Sequence, residues 1–504
     1  MDPSPNSFSG FFVSRRKRAT CYWAWWRGLV TVGFLPGLAG AAVPFTLQGP
    51  GVNPADFRVT VFAAGLSYPL GMARLPDGSM LVSVLQNASF FGGTASLVRL
   101  VDANGDGVAD AAPVVLYTGL SKGQSSLKIA GNLVFVTGQN TPIKVLRLGA
   151  TPASALTLVG TITLTYPSGG WLHPHSALAV RKTTGSANRY DLLFQLGSDT
   201  NFAVTTRTAT LGNIAISGAT GTLAGESIYL LNITDLTTSV TASGLTRVAS
   251  GLRNAAGMGF HPVTGDLYFQ ENGIDGLVDV NEPHSADELN VIPRGSIGSA
   301  GWFFGFPANF TAYRTGTRVG GAGVPPLIAF QPLPNPQTGA ESEGPNDIAH
   351  APPGFPDGLN TGIFVGFHGK FGLGGVQNEE NPLVYVNPAT GSYFHFIAGK
   401  QAGIGHLDGL LSTRDSLFVA DLSTTGSLGN ALGGGVIYQI KSMVTPGSPS
   451  IAVNKVAAGV EVRWDRGGLQ EALDPAGPWV SLPEALSPAA FPVDQVRKFY
   501  RAGY

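Results

Sequence analysis

The stretch GLRNAAGMGFHPVTGDLYFQENG, residues 251–273, followed by DELN at 287–290, decides the fold. It contains a polar loop, a glycine-containing strand, a turn and a second, more apolar strand. The same plan recurs in GLSYPLGMARLPDGSMLVSVLQN at 65–87 and in IGHLDGLLSTRDSLFVADL at 404–422. A supersecondary unit that repeats along a chain in this way is typical of β-propeller blades.

Six strand-rich segments follow one another, and each contains a similar closing strand such as SLVRLVD, PLVYVNP or GVIYQIK. The segments span residues 57–100, 114–148, 157–231, 245–292, 326–387 and 394–440. They predict an all-β fold, a six-bladed β-propeller with about four strands per blade. The propeller is expected over residues 43–442.

Residues 443–504 begin with the linker TPGSPS and have a different pattern, which predicts a small C-terminal β module. Two interpretations of this module stay open. It is either a binding or surface-attachment appendage, or a pack of strands that caps the propeller.

The composition agrees with a folded, turn-rich β protein. Hydrophobic residues make up 43% and charged residues 12% of the chain, which contains 69 Gly and 35 Pro. The formal net charge is −1. Nucleic acids and anionic membranes are therefore not expected as partners, since both require a concentrated positive charge.

Residues 1–42 have the order of a secretory signal. A basic group from Arg15 to Arg18 precedes an apolar stretch at 22–38, which ends in the small residues AGAA. The prediction is export, to the periplasm or outside the cell, and the alternative is a lone membrane anchor. Cys21, the only cysteine, lies in this segment, so the remaining chain is expected to contain neither a disulfide nor a thiolate site.

A first candidate site combines WLHPHSALAV at 171–180 with DLLFQLGSD at 191–199. His173 and His175 are two residues apart, so on a strand they would share a face, and Asp199 ends the next strand. An imidazole facing a carboxylate is suited to removing a proton from a hydroxyl group. The alternatives are that His175 is a hydrogen-bonded loop residue, or that the two histidines bind a metal.

A second candidate site combines Arg253 and Asn254 with the acidic turn after Glu271. Arg253 offers a fork of donors for a carboxylate or quinone oxygen, and the turn offers the oxygen ligands that Ca²⁺ prefers. Equivalent loops of all blades meet at one mouth of a propeller, so Arg253, His173 and Lys370 are expected to converge there. The alternative for the acidic residues is an ordinary solvated turn.

The sequence DANGDGVAD places oxygen-bearing side chains at Asp102, Asn104, Asp106 and Asp110. Their alternation, with glycine in the turn, matches a Ca²⁺ loop that lacks its closing glutamate. An ordinary hairpin turn is the alternative.

The motif GLRN…G…F.P.TG.LYF.ENG…DELN.I resembles the soluble quinoprotein glucose and sorbosone dehydrogenase family. FVGFHGK, which ends at Lys370, and LDGLLSTRDSLFVAD with GGVIYQI resemble the fifth and last blades of that family. The resemblance covers most of residues 55–441. It implies a six-bladed propeller that holds pyrroloquinoline quinone (PQQ) and Ca²⁺ over its central channel.

The resemblance also implies roles for single residues. His173 falls on the catalytic base, Asp199 near the acid that orients it, Arg253 and Asn254 at the substrate and cofactor mouth, Lys370 near a quinone-binding lysine, and the carbonyls of Gly273 and Ile274 on the Ca²⁺ ligands. The implied reaction is PQQ-dependent oxidation of an aldose or a related sugar, polyol or aldehyde, with electrons passed to an external acceptor. His173 would remove the hydroxyl proton while Ca²⁺ polarises the quinone.

Two departures from the family pattern support a second hypothesis. Ala177 stands where active members carry arginine, and Gly405, His406 and Leu407 stand before Asp408 where they carry an Arg-x-Arg pair. These changes remove anchors for the carboxylates of the cofactor. The second hypothesis is therefore a cofactor-free propeller that serves as a carbohydrate-binding or surface-interaction module.

Overall fold

The computed structural model describes residues 42–503, apart from 88, 215, 278–281, 458 and 494–496. Cys21 and the predicted export signal up to residue 41 lie outside this part. The helices in the described residues are three single-turn 3₁₀ helices, Pro54–Asp56, Arg294–Ser296 and Gly375–Gln377. None of the helices found there is long and apolar enough to cross a membrane.

Six antiparallel sheets, here called blades 1 to 6, each have a core of four strands. Blade 1 is Met72–Arg74, Met80–Leu85, Thr94–Leu100 and Val114–Ser121, and blade 2 is Ser126–Ala130, Leu133–Thr137, Ile143–Arg147 and Thr157–Thr165. Blade 3 is Leu178–Lys182, Arg189–Leu196, Ser227–Asp235 and Val240–Ser250, and blade 4 is Gly257–Phe260, Leu267–Glu271, Asp287–Ile292 and Ile328–Phe330. Blade 5 is Pro345–His350, Ile363–Phe367, Leu383–Asn387 and Ser392–Ile397, and blade 6 is Gly409–Ser412, Ser416–Asp421, Gly435–Ser442 and Phe57–Leu66. In each blade the first-named strand is the inner strand and the last-named is the outer strand. The six inner strands contact one another in a closed ring. The predicted all-β, six-bladed propeller is confirmed.

The ring closes through the beginning of the chain. Phe57–Leu66 pairs antiparallel with Gly435–Ser442 and forms the outer strand of blade 6. The segments inferred from the sequence are therefore each offset by one strand, because every segment began with the outer strand of the preceding blade. Pairing between residues 369 or more positions apart leaves no local signal in either strand, which is why the sequence pattern did not reveal the offset.

The core lies between the blades. Six clusters of buried apolar side chains fill the six interfaces between adjacent blades. The second strands are sandwiched on both faces, so Leu133–Thr137 and Ile363–Phe367 are buried at every position. Their near-continuous apolar sequences, LVFVT and IFVGF, follow from burial on both faces.

Inserted segments add short strands to this ring. Thr208–Ile214 and Gly221–Ala224 extend blade 2, although they belong to the loop between two strands of blade 3. Two short strands, Ser217–Gly218 and Trp302–Phe303, pair with the outer strand of blade 3, and Phe310–Thr311 forms a hairpin with Arg318–Val319.

The C-terminal strands form two small three-stranded sheets. One contains Ile451–Val456, Gly459–Trp464 and Ala489–Phe491, and the other contains Gly468–Ala472, Val480–Ser481 and Phe499–Gly503. Together with Val263 from a blade 4 turn, Val462, Trp464 and Leu469 make a seventh apolar cluster. These sheets thus lie against the lower face of the ring, the face that carries the loops following the inner strands.

The DANGDGVAD loop lies on the same lower face, between the third and fourth strands of blade 1. Both carboxylate oxygens of Asp102 accept backbone amides, from Gly105 at 2.8 Å and Gly107 at 2.9 Å. Asn104, Asp106 and Asp110 likewise accept backbone amides within the loop. The predicted ligand oxygens are therefore used to close the turn, which favours the ordinary hairpin turn over the Ca²⁺ loop.

Candidate active site

The loops of the upper face, which precede the inner strands, surround a cavity of about 400 Å³. Every blade contributes to its lining, for example through Leu70, Ser125, His173, Arg253, Glu343 and Asp408. The volume lies within the range of small-molecule sites. His173, Arg253 and Asn254, predicted from separate motifs, meet in this cavity as expected.

His173 is held as a neutral base. Its Nδ1 lies 3.1 Å from the Ser198 carbonyl and 3.0 Å from the Ser198 hydroxyl, whose own hydrogen is donated to the Thr200 carbonyl. Both partners of Nδ1 are acceptors, so Nδ1 carries the hydrogen and Nε2 keeps its lone pair. Burial, followed by the neighbouring Arg253 guanidinium, lowers the pKa of His173 to about 3.

Asp199 does not orient His173. Its carboxylate forms a two-pronged ion pair with Arg207, which also donates to the carbonyls of Ser168 and Gly170. The orienting role belongs to Ser198, one residue earlier. Ser198 and Asp199 lie in the loop after the strand Arg189–Leu196, where neighbouring side chains contact different partners. A motif match that is off by one residue therefore assigns the role to the wrong side chain.

His175 is a structural loop residue, and it does not share a face with His173. Its ring nitrogens lie 2.7 Å from the Tyr166 hydroxyl and 2.6 Å from the Thr141 carbonyl, and its ring stacks on Tyr166. Burial lowers the pKa of His175 to about 4. A metal site formed by the two histidines is excluded by these contacts.

Arg253 is buried, with 3% of its side chain exposed, and it lines the cavity beside His173. Nη2 donates to Asn201 Oδ1 at 2.8 Å and to the Asp275 carboxylate at 2.5 Å, and Nε donates to the Asn201 carbonyl at 3.2 Å. These partners fix the guanidinium plane. Its Nη1 has no hydrogen-bond partner within the described part of the chain.

Asn254 and the Gly273 turn form the wall next to Arg253. Asn254 donates to Asn272 Oδ1 at 2.7 Å. The Ile274 carbonyl accepts the amides of His284 at 2.8 Å and Ser285 at 3.3 Å, so it is not available in the way the Ca²⁺ prediction requires. The Gly273 carbonyl has no such donor among the described residues, and it remains a candidate metal ligand; Asp275, two residues later, lines the same cavity.

Asp287 is a buried carboxyl group on the cavity wall. Its two oxygens accept the amides of Gly273 at 2.6 Å and Gly344 at 2.8 Å. Burial nevertheless raises the pKa of Asp287 to about 7. It thus joins the Gly273 turn to blade 5 and carries variable charge near neutral pH.

Lys370 does not reach the cavity. Its Nζ binds Glu379 at 3.0 Å and Glu380 at 3.2 Å, and these two carboxylates raise the pKa of Lys370 against the opposing effect of burial. Glu341, Glu343 and Glu380 bring one carboxylate oxygen each to within 4.8 Å of one another nearby. Lys370 and Arg314 pair with two members of that group.

A blade 5 residue close to Lys370 that does line the cavity is His368, two positions earlier. Its Nδ1 lies 2.6 Å from Oδ2 of Asp408, which is buried with 1% of its side chain exposed. The sequence contained a signal for this pair, since His368 directly follows the fully buried strand Ile363–Phe367 and Asp408 directly precedes the inner strand of blade 6. The resemblance drew attention to the lysine instead.

Two phenylalanines stand exposed at the rim of the cavity. Phe91 is 43% and Phe371 is 69% exposed, and their ring centroids are 5.4 Å apart. Large apolar side chains exposed together at a cavity mark a binding surface.

The fold and this cavity define a class, a six-bladed propeller with a histidine-containing site at its central mouth. The TrAA12-like family model matches residues 54–322, more than half of the 504 residues, and the chain belongs to this family. The relationship to soluble quinoprotein sugar dehydrogenases that the motifs indicated is thereby confirmed.

Solved structures show the same fold. A calcium structure of the Trichoderma reesei carbohydrate-active enzyme of family AA12 is 16% identical with a TM-score of 0.51, covering 80% of this chain and 98% of that one. An iodide structure of the same enzyme is 15% identical with a TM-score of 0.50, covering 80% of this chain and 99% of that one. An uncharacterized protein of Borreliella burgdorferi is 44% identical over 63 residues, which are 12% of this chain and 14% of that protein.

Proposed function

We propose that this protein is a PQQ-dependent oxidoreductase that oxidises an aldose or a related sugar, polyol or aldehyde and passes the electrons to an external acceptor. The observation that carries the proposal is His173, a neutral imidazole with a fixed Nδ1–H and a free Nε2 lone pair in the central cavity. Membership of the TrAA12-like family supports it, because a solved enzyme of family AA12 is described as carbohydrate-active.

The lining residues fit a planar, acidic, oxygen-rich cofactor. His368 Nε2 is buried at the cavity without a partner in the described chain, and the hydrogen bonds of Arg253 use its Nε and Nη2 and leave Nη1 spare. Such atoms are costly unless a ligand pairs with them. Arg253 and Asn254 would hold the cofactor, and the Gly273 carbonyl with Asp275 would hold Ca²⁺, an ion present in a solved structure of a family AA12 enzyme.

Bound PQQ would supply the two-electron acceptor that no side chain can provide. The chain's own residues would do the rest. His173 Nε2 accepts the hydroxyl proton of the substrate, Ser198 keeps the ring in the required tautomer, and Phe91 and Phe371 offer an apolar surface to the sugar ring. Arg253, beside His173, stabilises the negative charge that develops on the substrate oxygen.

The proposal includes export, supported by the signal-like order of residues 1–42. A sugar dehydrogenase outside the cytoplasm would meet its substrate directly.

The test is dye reduction by purified protein that has been incubated with PQQ and Ca²⁺, with a panel of aldoses, polyols and aldehydes. We expect His173→Gln to lower kcat about 100-fold or more, the usual contribution of a general base. His395→Gln is the matched control, since His395 is a buried histidine on the outer strand of blade 5. Equal activity in the wild type and His173→Gln would overturn the proposal.

One observation favours the second candidate, a cofactor-free carbohydrate-binding propeller. Among the described residues that line the cavity, Arg253 alone carries a permanent positive charge, and it is already paired with Asp275. In that case the protein would bind sugars by calorimetry without taking up PQQ.

A further inference from the structure

We propose that His368 is a second catalytic residue of the cavity, a proton donor that works opposite the proton acceptor His173. The inference rests on the proposed oxidoreductase function and adds a residue that neither the motifs nor the family resemblance assigned.

The carboxylate of Asp408 lies behind the imidazole ring of His368. His368 Nδ1 lies 2.6 Å from Asp408 Oδ2, and the other carboxylate oxygen, Oδ1, is buried with no partner among the described residues. The imidazole is thus the one hydrogen-bond donor to this carboxylate within that part of the chain. A carboxylate removed from water in this way stabilises a positively charged partner.

The ring is also fixed in orientation. His406 stacks on it with ring centroids 3.8 Å apart and an interplanar angle of 7°, and His406 Nδ1 lies 2.8 Å from the His368 carbonyl. The ring of Phe371 also neighbours that of His368, with ring centroids 5.4 Å apart and an interplanar angle of 34°. His368 Nε2 is buried and has no partner in the described chain, although the residue lines the cavity. A ligand in the cavity is therefore the available partner for Nε2.

The titratable groups around the pair are one histidine, two aspartates and, further out, one lysine. The titratable groups that face it are His406, stacked on the ring, and Asp347 and Asp421, which interact with Asp408 from blades 5 and 6. Lys128 lies 4.0 Å from Asp347. Burial raises the pKa values of Asp347 and Asp421, and lowers that of His406, so these groups favour their neutral forms.

The two cavity histidines differ in the groups that contact their Nδ1 atoms. His173 Nδ1 faces a carbonyl and a hydroxyl acceptor, which fixes a hydrogen on Nδ1 and leaves Nε2 as an acceptor. His368 Nδ1 faces a charged carboxylate, which favours hydrogens on both nitrogens and makes Nε2 a donor. One cavity therefore holds a base and an acid of the same residue type.

In the proposed step, His173 Nε2 would accept the hydroxyl proton of the substrate, whose C–H hydrogen would leave with the bonding electron pair to an o-quinone acceptor. The substrate would become a carbonyl compound, and His368 Nε2 would donate a proton to the acceptor after its reduction by two electrons. One proton enters the protein at His173 and one leaves it at His368, and exchange with water restores both.

The test is ¹⁵N NMR of histidine-labelled, cofactor-free protein at pH 7, which reports the protonation of each ring nitrogen. Among the eight histidines of the chain, the His368 signals are identified by their loss in His368→Gln, with His395→Gln as the control that leaves them in place. We expect both His368 nitrogens protonated in the wild type, conversion to a neutral ring in Asp408→Asn, and a neutral Nδ1–H ring for His173.

A neutral His368 in the wild type, or a doubly protonated one that Asp408→Asn leaves unchanged, would overturn the inference. The readout needs no PQQ, so it is separate from the test of the proposed function. In protein that does take up PQQ, we expect His368→Gln to lower kcat about 100-fold and to change KM less than threefold. An unchanged kcat would also overturn it.

Discussion

His173 depends on the carbonyl and hydroxyl groups of Ser198 for its tautomer and on burial for its neutral state. The resemblance located this histidine from sequence, and the structure explains its role through Ser198, a neighbour that no motif indicated. Side chains that act directly on a substrate leave sequence signals, whereas a backbone carbonyl that orients one of them can belong to any residue type.

The pH dependence of turnover follows from this environment. Because the pKa of His173 is lowered to about 3, the base stays neutral throughout the mildly acidic range. We predict that kcat/KM for sugar oxidation shows no fall centred near pH 6.5, the ordinary histidine value, and declines through this group only below about pH 4. Stopped-flow dye reduction between pH 4.5 and 8 would check it, and an acid limb centred near 6.5 would contradict it.

Asp199 provides a test between the sequence-based role and the observed one. If Asp199 oriented the base, Asp199→Asn would reduce kcat severely. Since it instead pairs with Arg207, we predict that Asp199→Asn lowers the free energy of unfolding by about 1 to 3 kcal/mol, that Arg207→Ala also destabilises the fold, and that both variants keep kcat within about threefold. Urea unfolding and turnover, measured on both variants, separate the two roles.

The site could be predicted in part. His173, Arg253 and Asn254 were found because their motifs are specific and their loops converge in any propeller. The prediction of Lys370 as a cavity residue was wrong by two positions. The chain turns at Gly369, where φ is 68°, and directs the lysine to Glu379 and Glu380. The Ile274 carbonyl was misassigned because hydrogen bonds from later residues are invisible in the local sequence.

At the scale of elements, the strand Phe57–Leu66 closes the ring by pairing with Gly435–Ser442. Phe62 on this strand is 3% exposed and packs edge to face on Phe418, with ring centroids 5.0 Å apart. The contact joins the two ends of the propeller, so its energy supports all six blades.

We predict that Phe62→Ala lowers the free energy of unfolding by about 3 to 5 kcal/mol, the usual cost of truncating a buried phenylalanine. Val115→Ala, on the outer strand of blade 1 where Val115 is 51% exposed, is the control and should change it by less than about 0.5 kcal/mol. Urea denaturation measures both. A loss at Phe62 no larger than at Val115 would show that closure contributes little.

At the scale of the whole molecule, the C-terminal sheets and the active-site cavity lie on opposite faces of the ring. Ser487 donates its amide to the Val263 carbonyl at 2.8 Å, and Arg294 donates to the Pro488 carbonyl at 2.8 Å. These contacts favour the capping interpretation of the module over that of a freely hanging attachment segment.

We predict that Val263→Asp, which places a charge under Trp464, lowers the free energy of unfolding by more than about 2 kcal/mol and makes residues 443–503 sensitive to protease. Sugar and PQQ binding should change less than about twofold. The control is Lys182→Ala, which removes an ion pair with Glu484, 57% exposed, and should cost less than about 1 kcal/mol. Protease resistance equal to that of the wild type would contradict the predicted docking.

The fold as a whole was predictable because repeated blades repeat their pattern of glycine turns and apolar strands. What could not be predicted is long-range, namely the pairing of the first strand with the last blade, the insertion from blade 3 that extends blade 2, and the docking of the C-terminal sheets. Each is set by a partner at least 45 residues away in the chain, and these partners meet only after folding.

The most direct measurement is a titration of the purified protein with PQQ in the presence and absence of Ca²⁺, followed by fluorescence quenching and equilibrium dialysis. We predict one PQQ bound per chain, with Ca²⁺ strengthening the binding and Arg253→Ala weakening it at least tenfold. The absence of uptake at high micromolar PQQ with Ca²⁺ present would contradict the quinoprotein function and leave a carbohydrate-binding propeller.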